Sequence, residues 1–352
     1  MTVNTQEQTD APVLRSVNHR TGLLELNRPR ALNSLNPEMI AIITQALRDW
    51  ENDPDIDQVL LYSGHPKAFC AGGDVRHARD LLLADKGKEV DAFFGAEYEL
   101  NAYIAEYPKP YISVIDGVAM GGGLGISAHG SHRVVTANAF ASMPEMAIGY
   151  FTDVGMAYMS QQVMSPALAK FWGITGYRMY AADLLYTGVA TGMVEDAQAY
   201  IQAVIEQGID AADAETAGAE TADAAATSTA ESAPLAELAA DIEAAFSHST
   251  WPEILAACSP QLRELVDELT AQASPASIVA ALALYEYSAT APDVRTALEA
   301  EARLSHVMLR EPNFVEGVRA VLVDKTKDAQ FTPDSVEAVD GATYARVIAG
   351  DS

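Results

Sequence analysis

Two carboxylates stand in an otherwise apolar stretch, "FASMPEMAIGYFTDVGMAYMSQQV": Glu145 and, eight residues on, Asp153. A carboxylate in such surroundings either is paired for structural reasons or has a displaced pKa and works as an acid or base. Glu145 follows Pro144 and has no capping duty, which makes it the stronger chemical candidate. Asp153 fits equally well as the N-cap of a helix over "VGMAYMSQQV". Two neighbouring negative charges in a low-dielectric setting predict a raised pKa for at least one of them.

Backbone chemistry is the second signal. Gly121, Gly122 and Gly123 follow the apolar run "PYISVIDGVAM" and open a helical pattern. Glycines there permit positive φ and let a ligand approach without a Cβ in the way. Helix-opening amides without a partner favour negative charge, so a phosphate or a developing oxyanion would suit them. Tight strand-helix packing is the competing reading. Phosphate motifs fail: no Gly-Lys-Ser/Thr is present, and Ile126 stands where G-x-G-x-x-G counted from Gly121 needs glycine. Ser127 in "GISAHG" is not a G-x-S-x-G nucleophile elbow.

A second strand-to-helix turn, "HPKAFCAGGDVRHARDLL", offers the amides of Gly72 and Gly73, with Asp74 placed to cap the following helix. Cys70 reads as a small buried hydrophobe, because nothing beside it supplies an activating base.

Composition narrows the rest. The 352 residues are 49% hydrophobic and carry a formal charge of -27, which excludes a phosphate-tracking nucleic-acid surface and obliges any anionic ligand to meet a local cation cluster. Two cysteines exclude a disulfide framework and a paired zinc site, and fit a reducing cytosol. The first residues, "MTVNTQEQTD", lack signal- and transit-peptide character, so the expected location is cytoplasmic. No apolar run reaches the ~18 residues of a spanning helix. The seven histidines are scattered, and His129 with His132 reads as a surface or packing pair, so no metal site is expected.

These loops need elements to position them. Residues 13–27 read as two strands around a turn, and "QVLLYSG" and "YISVIDG" as buried strands. A helix starts at Pro37 with Asn36 as cap, its inward face formed by Met39, Ile42, Ile43, Ala46, Leu47 and Trp50. Alternating strands and helices predict an α/β domain over 1–208 with functional loops after strand ends. Residues 209–234 hold six acids, no base and almost no large apolar side chain, the composition of a flexible insertion. Residues 235–352 are mostly helical by period.

Taken together, "LNRPRALNSLN", "KAFCAGGDV", "GVAMGGGLGIS" and "MPEMAIGYFTDVG", in that order, resemble the crotonase (enoyl-CoA hydratase/isomerase) superfamily. The resemblance implies a spiral of repeated ββα units with a helical C-terminal region, and a CoA-thioester substrate. It places an oxyanion hole at the amides of Gly73 and Gly122. It also implies substrate or CoA contacts at Arg28, Arg30, Ala31, Lys67, Ala68, Ala71 and Gly125. No cofactor is implied beyond the CoA of the substrate. A homo-oligomer is a further family expectation.

One departure points to a branch. Hydratases of the superfamily place a glutamate two residues after the triple glycine, where this chain has Gly125, so one of their two acid-base groups is missing. Glu145 with Asp153, and the downstream "FVEGVRAVLVDK", are similar to the 3-hydroxyisobutyryl-CoA hydrolase branch. "FTDVGMAYMS" and Gly192 depart from it, which bears on substrate preference more than on reaction class. Glu316, Arg319 and Asp324 read as an ion-pair network. Hydration or isomerisation by Glu145 alone, and a non-catalytic acyl-CoA-binding scaffold, are the two other readings the residues allow.

Overall fold

The computed structural model describes residues 10–65, 67–214 and 233–351. Along the chain run β1 (Val13–Asn18), β2 (Thr21–Leu26), α1 (Pro37–Glu51), β3 (Gln58–Ser63), β4 (Ala68–Cys70), α2 (Val75–Leu83) and α3 (Gly87–Ala105). Next come β5 (Tyr111–Ile115), β6 (Val118–Met120), the short α4 (Gly122–Gly125), β7 (His132–Val135) and β8 (Phe140–Ser142). After α5 (Met156–Val163) and α6 (Pro166–Thr175) follow β9 (Met179–Tyr180), α7 (Ala181–Tyr186), β10 (Gly192–Met193) and α8 (Ala197–Gln207). The remainder is helical: α9 (Pro234–Phe246), α10 (Trp251–Ala257), α11 (Pro260–Leu269), α12 (Pro275–Ser288), α13 (Val294–Met308), α14 (Pro312–Val318) and α15 (Gly341–Ala349).

The chain forms two compact units: Met1–Gly73 with Tyr103–Ala141 and Met179–Ala236, and Asp74–Ala102 with Ser142–Arg178 and Glu237–Ser352. This division interleaves along the chain and does not follow the order 1–208 then 235–352. The first unit holds a six-stranded sheet, β1-β2-β3-β5-β7-β10, and a four-stranded one, β4-β6-β8-β9. Each turn of chain gives one strand to each sheet: β3 and β4, then β5 and β6, then β7 and β8. That is the expected ββα repeat made visible. The β1-β2 hairpin is antiparallel, whereas β2-β3, β3-β5 and β5-β7 are parallel.

Period decides what packs on the large sheet. Leu60, Ile112, Val114 and Val134 meet Tyr200, Ile201, Val204 and Ile205 of α8, which recur at helical spacing. Each such buried side chain contributes about 1.5–3 kcal/mol. In α1, Asn36 caps the amide of Met39 and Pro37 occupies the first helical position as expected, but Ile40 is buried while Ile42 is only half-buried. The apolar stripe is thus one residue wider than its simplest period.

Part of the acidic stretch is ordered. Residues 209–214 are helical, with Ile209 and Ala212 in the same core. The cause is a distant glutamine: Gln58 accepts from the Ile209 amide and donates to the Val204 carbonyl and the Thr21 hydroxyl. Residues 215–232, the rest of that stretch save its last two positions, lie outside the described residues.

In the second unit α12 is buried almost all round, and α13 turns Leu298, Glu301, Leu304, Ser305 and Met308 inward. Two polar residues one turn apart on a buried face call for partners. Among the described residues, no helix is long and apolar enough to cross a membrane.

Candidate active site

Parallel pairing of β4 with β6 delivers their following loops to the same end of the small sheet. Gly72 takes φ 105°, and a Cβ there would lie 3.2 Å from the Met120 carbonyl oxygen and 3.9 Å from the Gly122 nitrogen. The loops carrying Gly73 and Gly122 are therefore in touch, and both glycines belong to the first unit. Gly122 is the first residue of α4, so its amide has no acceptor one turn back. Among the described residues, neither amide donates to a turn, loop or cap carbonyl.

The three consecutive glycines have three different reasons. Gly121 adopts φ 43° at the N-cap, a left-handed value. Gly122 presents its amide. Gly123 answers the packing alternative, since a Cβ there would come within 2.4 Å of the Cys70 carbonyl oxygen. Cys70 itself is fully buried, its Sγ 3.0 Å from the Asn33 carbonyl, in keeping with a packing residue. Asp74 caps α2 through the amide of His77.

The positions expected to meet CoA are stitched to the same loop. The Ala71 amide donates to the Leu32 carbonyl, the Leu35 amide to the Gly72 carbonyl, and the Asn33 side-chain amide to the Phe69 carbonyl. Arg28, Ala31, Lys67, Ala68 and Ala71 thus share one neighbourhood with Gly73. Arg30 and Lys67 are exposed, whereas the Arg28 guanidinium donates to the Ser34 carbonyl. Gly125 is buried within α4 and brings no acid to this loop.

The second unit carries the carboxylates. Glu145 opens a 3-10 turn, Glu145–Ile148, and is 7% exposed, while Asp153 is 5% exposed. Asp153 does not cap α5: Gly155 occupies the cap position and the Asp153 side chain instead accepts from the Tyr98 hydroxyl at 2.9 Å. Burial pushes Asp153 up to about 7, against the Tyr98 bond, which pulls it down. Burial, and then the charge of Asp153, hold Glu145 well above the usual carboxylate range. One of its oxygens, Oε2, is buried without a partner among the described residues.

Sequence reasoning missed the other members of this cluster. Glu97 is pushed up to about 8 by burial and by Asp153, and Glu301 is raised well above its ordinary value chiefly by burial. Asn101, one turn from Glu97 on α3, has both side-chain amide atoms buried and unpartnered among the described residues. Tyr150 and Ser305 join Tyr98 in a hydroxyl chain. The only available signal was spacing: Glu97 with Asn101 and Glu301 with Ser305 are polar pairs one helical turn apart in apolar surroundings. After Asp153 the backbone is strained, Val154 at φ 54° and Gly155 at φ 75°. A left-handed β-branched residue costs about 1–3 kcal/mol, and the Glu301 carboxyl meets this turn by accepting from the Gly155 amide at 2.9 Å.

Arg319 bonds Glu316, Asp324 and Asp328, which is the ion-pair network expected of that segment. It lines a cavity of about 860 Å³ in the second unit together with Arg79, Lys86 and Arg310. Arg310 is spent on Asp91. Among the described residues, no group of three or more His, Cys, Asp or Glu side chains could hold a metal ion.

A family model described as enoyl-CoA hydratase/isomerase matches residues 21–348. The chain is 36% identical over 333 residues to the 3-hydroxyisobutyryl-CoA hydrolase, mitochondrial, of Xenopus laevis, covering 90% of this chain and 83% of that one. It is 34% identical to the protein of the same name from Homo sapiens, covering 91% and 83%. A solved structure of a carnitinyl-CoA dehydratase from Mycobacterium thermoresistibile is 34% identical, with a TM-score of 0.87 over 96% of both chains. An enoyl-CoA hydratase from Rhodobacter sphaeroides 2.4.1 is 30% identical, with a TM-score of 0.82 over 96% of this chain and 97% of that one. The repeated ββα units and the helical C-terminal region are the architecture this chain shares with them.

Proposed function

Since this chain belongs to the enoyl-CoA hydratase/isomerase family, we propose that it hydrolyses a short 3-hydroxyacyl-CoA thioester, 3-hydroxyisobutyryl-CoA first among them, to the free acid and CoA. The observation that carries the proposal is the placement of acid-base groups: Gly125 leaves the glycine loop without a carboxylate, and the buried pair is Glu145 with Asp153. The hydrolase names of the relatives support the same reading. That reaction is a step of valine breakdown.

In this reading the amides of Gly73 and Gly122 receive the thioester oxygen. As the carbonyl carbon becomes tetrahedral, its π pair moves onto that oxygen, where fixed donors act with no reorganisation. Glu145, in the fraction that is ionised at the working pH, takes the proton of the attacking water, or attacks the carbon itself to give a mixed anhydride that water then cleaves. Collapse expels the CoA thiolate, which leaves as thiol once protonated. Asp153 orients Glu145 or holds the substrate hydroxyl. Arg28, Arg30 and Lys67 supply the local positive charge that CoA phosphates need in an acidic chain, and Ala31 and Ala71 line its path, whereas Ala68 is fully buried. After one turnover in ¹⁸O-water, label in Glu145 would mark the anhydride route with water attacking the Glu145 carbonyl carbon.

Purified protein is tested for thiol release from 3-hydroxyisobutyryl-CoA beside crotonyl-CoA, whose double-bond absorbance is followed. Thiol from the hydroxy ester with unchanged crotonyl absorbance is expected. Loss of crotonyl absorbance without thiol would replace hydrolysis by hydration, the kind of reaction for which the two solved neighbours are named. The proposal includes a cytoplasmic enzyme that assembles with copies of itself and needs no metal or cofactor, so activity should survive dialysis against a chelator.

A further inference from the structure

The residues around Asp153 are arranged with more care than burial alone requires. Its Oδ2 accepts from the Tyr98 hydroxyl at 2.9 Å; that hydroxyl lies 3.0 Å from the hydroxyl of Tyr150, which in turn lies 2.7 Å from the Ser305 hydroxyl. Three hydroxyls offer three protons for three contacts. Tyr98 donates to Asp153 and Tyr150 donates to Ser305, so the contact between the two tyrosine hydroxyls gains its proton when either outer bond turns round. One turn before Ser305 on α13, Glu301 accepts from the Gly155 amide at 2.9 Å and so holds the strained Val154-Gly155 turn that follows Asp153. A single helix face thereby reaches both the side chain and the backbone of one carboxylate.

We propose that Tyr98, Tyr150, Ser305 and Glu301 are positioning residues for Asp153, the first three as a hydroxyl chain that holds its carboxylate and the last as a clamp on the turn that carries it. This rests on the reading that Asp153 serves the thioester reaction. The titratable groups that face it are Glu97 and Tyr98 from α3, Glu145 and Tyr150 from the preceding loop, and Glu301 from α13. All are acids, so the charged form is favoured by hydrogen bonds alone, first that of the Tyr98 hydroxyl and then that of the backbone at Asp153, both acting against burial. Burial holds Glu301 well above its ordinary value, and glutamine keeps a side-chain oxygen that can accept from the Gly155 amide.

The test uses the full chain labelled with ¹³C at aspartate carboxyls, the Asp153 signal being assigned by its loss in Asp153→Asn. Tyr98→Phe should move the Asp153 titration up by about one pH unit, the loss of one hydrogen bond to a charged group, with Ser305→Ala shifting it less in the same direction. In thiol release, Glu301→Ala should lose about tenfold in kcat at an unchanged KM, a typical outer-partner effect, and Glu301→Gln should restore most of it. If Ser305→Ala does not fold, Tyr150→Phe interrupts the same chain. An unmoved titration in Tyr98→Phe, or equal kcat for the two Glu301 variants, overturns the proposal. Wild-type protein that releases no thiol, or a fully active Asp153→Asn, overturns the assigned reaction instead, and the titration still decides the hydroxyl chain.

Discussion

The glycine loops of the first unit and the carboxyl cluster of the second are built on opposite principles. In the loops the groups proposed to act are backbone amides, placed by a parallel strand pair and by residues that lack a side chain. In the cluster they are side chains drawn from α3, the segment around Glu145–Asp153 and α13, more than two hundred residues apart from Glu97 to Glu301. Backbone sites are specified locally and tolerate few residue types. Side-chain clusters are specified by tertiary packing, and any one member looks ordinary in its own neighbourhood.

The largest test of this contrast lies in the cluster. Glu145→Gln should reduce thiol release by about 10²–10⁴-fold, the range of a lost general base or acid, with circular dichroism unchanged; activity within tenfold of wild type would remove Glu145 from the reaction. The loop has an equivalent that no alanine scan supplies. Gly122 is the first residue of α4, the helical position that best tolerates proline, which removes one amide proton. Gly122→Pro should therefore cost about 10²–10³ in kcat while melting within a few degrees of wild type. A silent Gly122→Pro would leave the amide a packing role.

Stability separates the two regions next. Glu97 is pushed up to about 8, so the folded protein keeps this proton between the ordinary carboxylate range and about 8 while the unfolded chain has released it. Stability is then fully present at low pH and falls as pH rises through that window, by up to about 1.4 kcal/mol per pH unit for one such group. Glu97→Gln should flatten the decline, seen in urea midpoints from pH 5 to 8. The smallest effect belongs to the periphery: Lys67→Ala should raise KM for the CoA ester about threefold or less with kcat unchanged, as suits an exposed charge. An unchanged KM would take Lys67 out of CoA binding.

What could be read beforehand follows the same line. The β1-β2 hairpin, the Asn36 cap, the buried β3 and β5, the Asp74 cap and the spent Arg319 all announce themselves within a dozen residues. Glu145 was legible because an acid in an apolar run needs a reason. Tyr98, Glu301 and Ser305 were not, because their partners sit tens to hundreds of residues away and their own helices explain them equally well as surface. Asp153 shows the limit most plainly: its spacing fits a helix cap, and only the arrival of Tyr98 and of Glu301 at the next turn assigns it elsewhere. Residues 209–214 failed for a similar reason, since Gln58 orders a composition that would otherwise stay loose.

The pairing of β4 with β6 has a consequence for how such a protein can be changed. Neighbouring strands lie about 4.8 Å apart wherever a ladder forms, and β4 and β6 pair in parallel with a register shift between Ala68 and Cys70, so backbone pairing rather than any side chain brings the two loops to the same end of the sheet. The positions to leave alone in a redesign are Gly72 and Gly123, whose missing Cβ atoms let the two loops approach so closely.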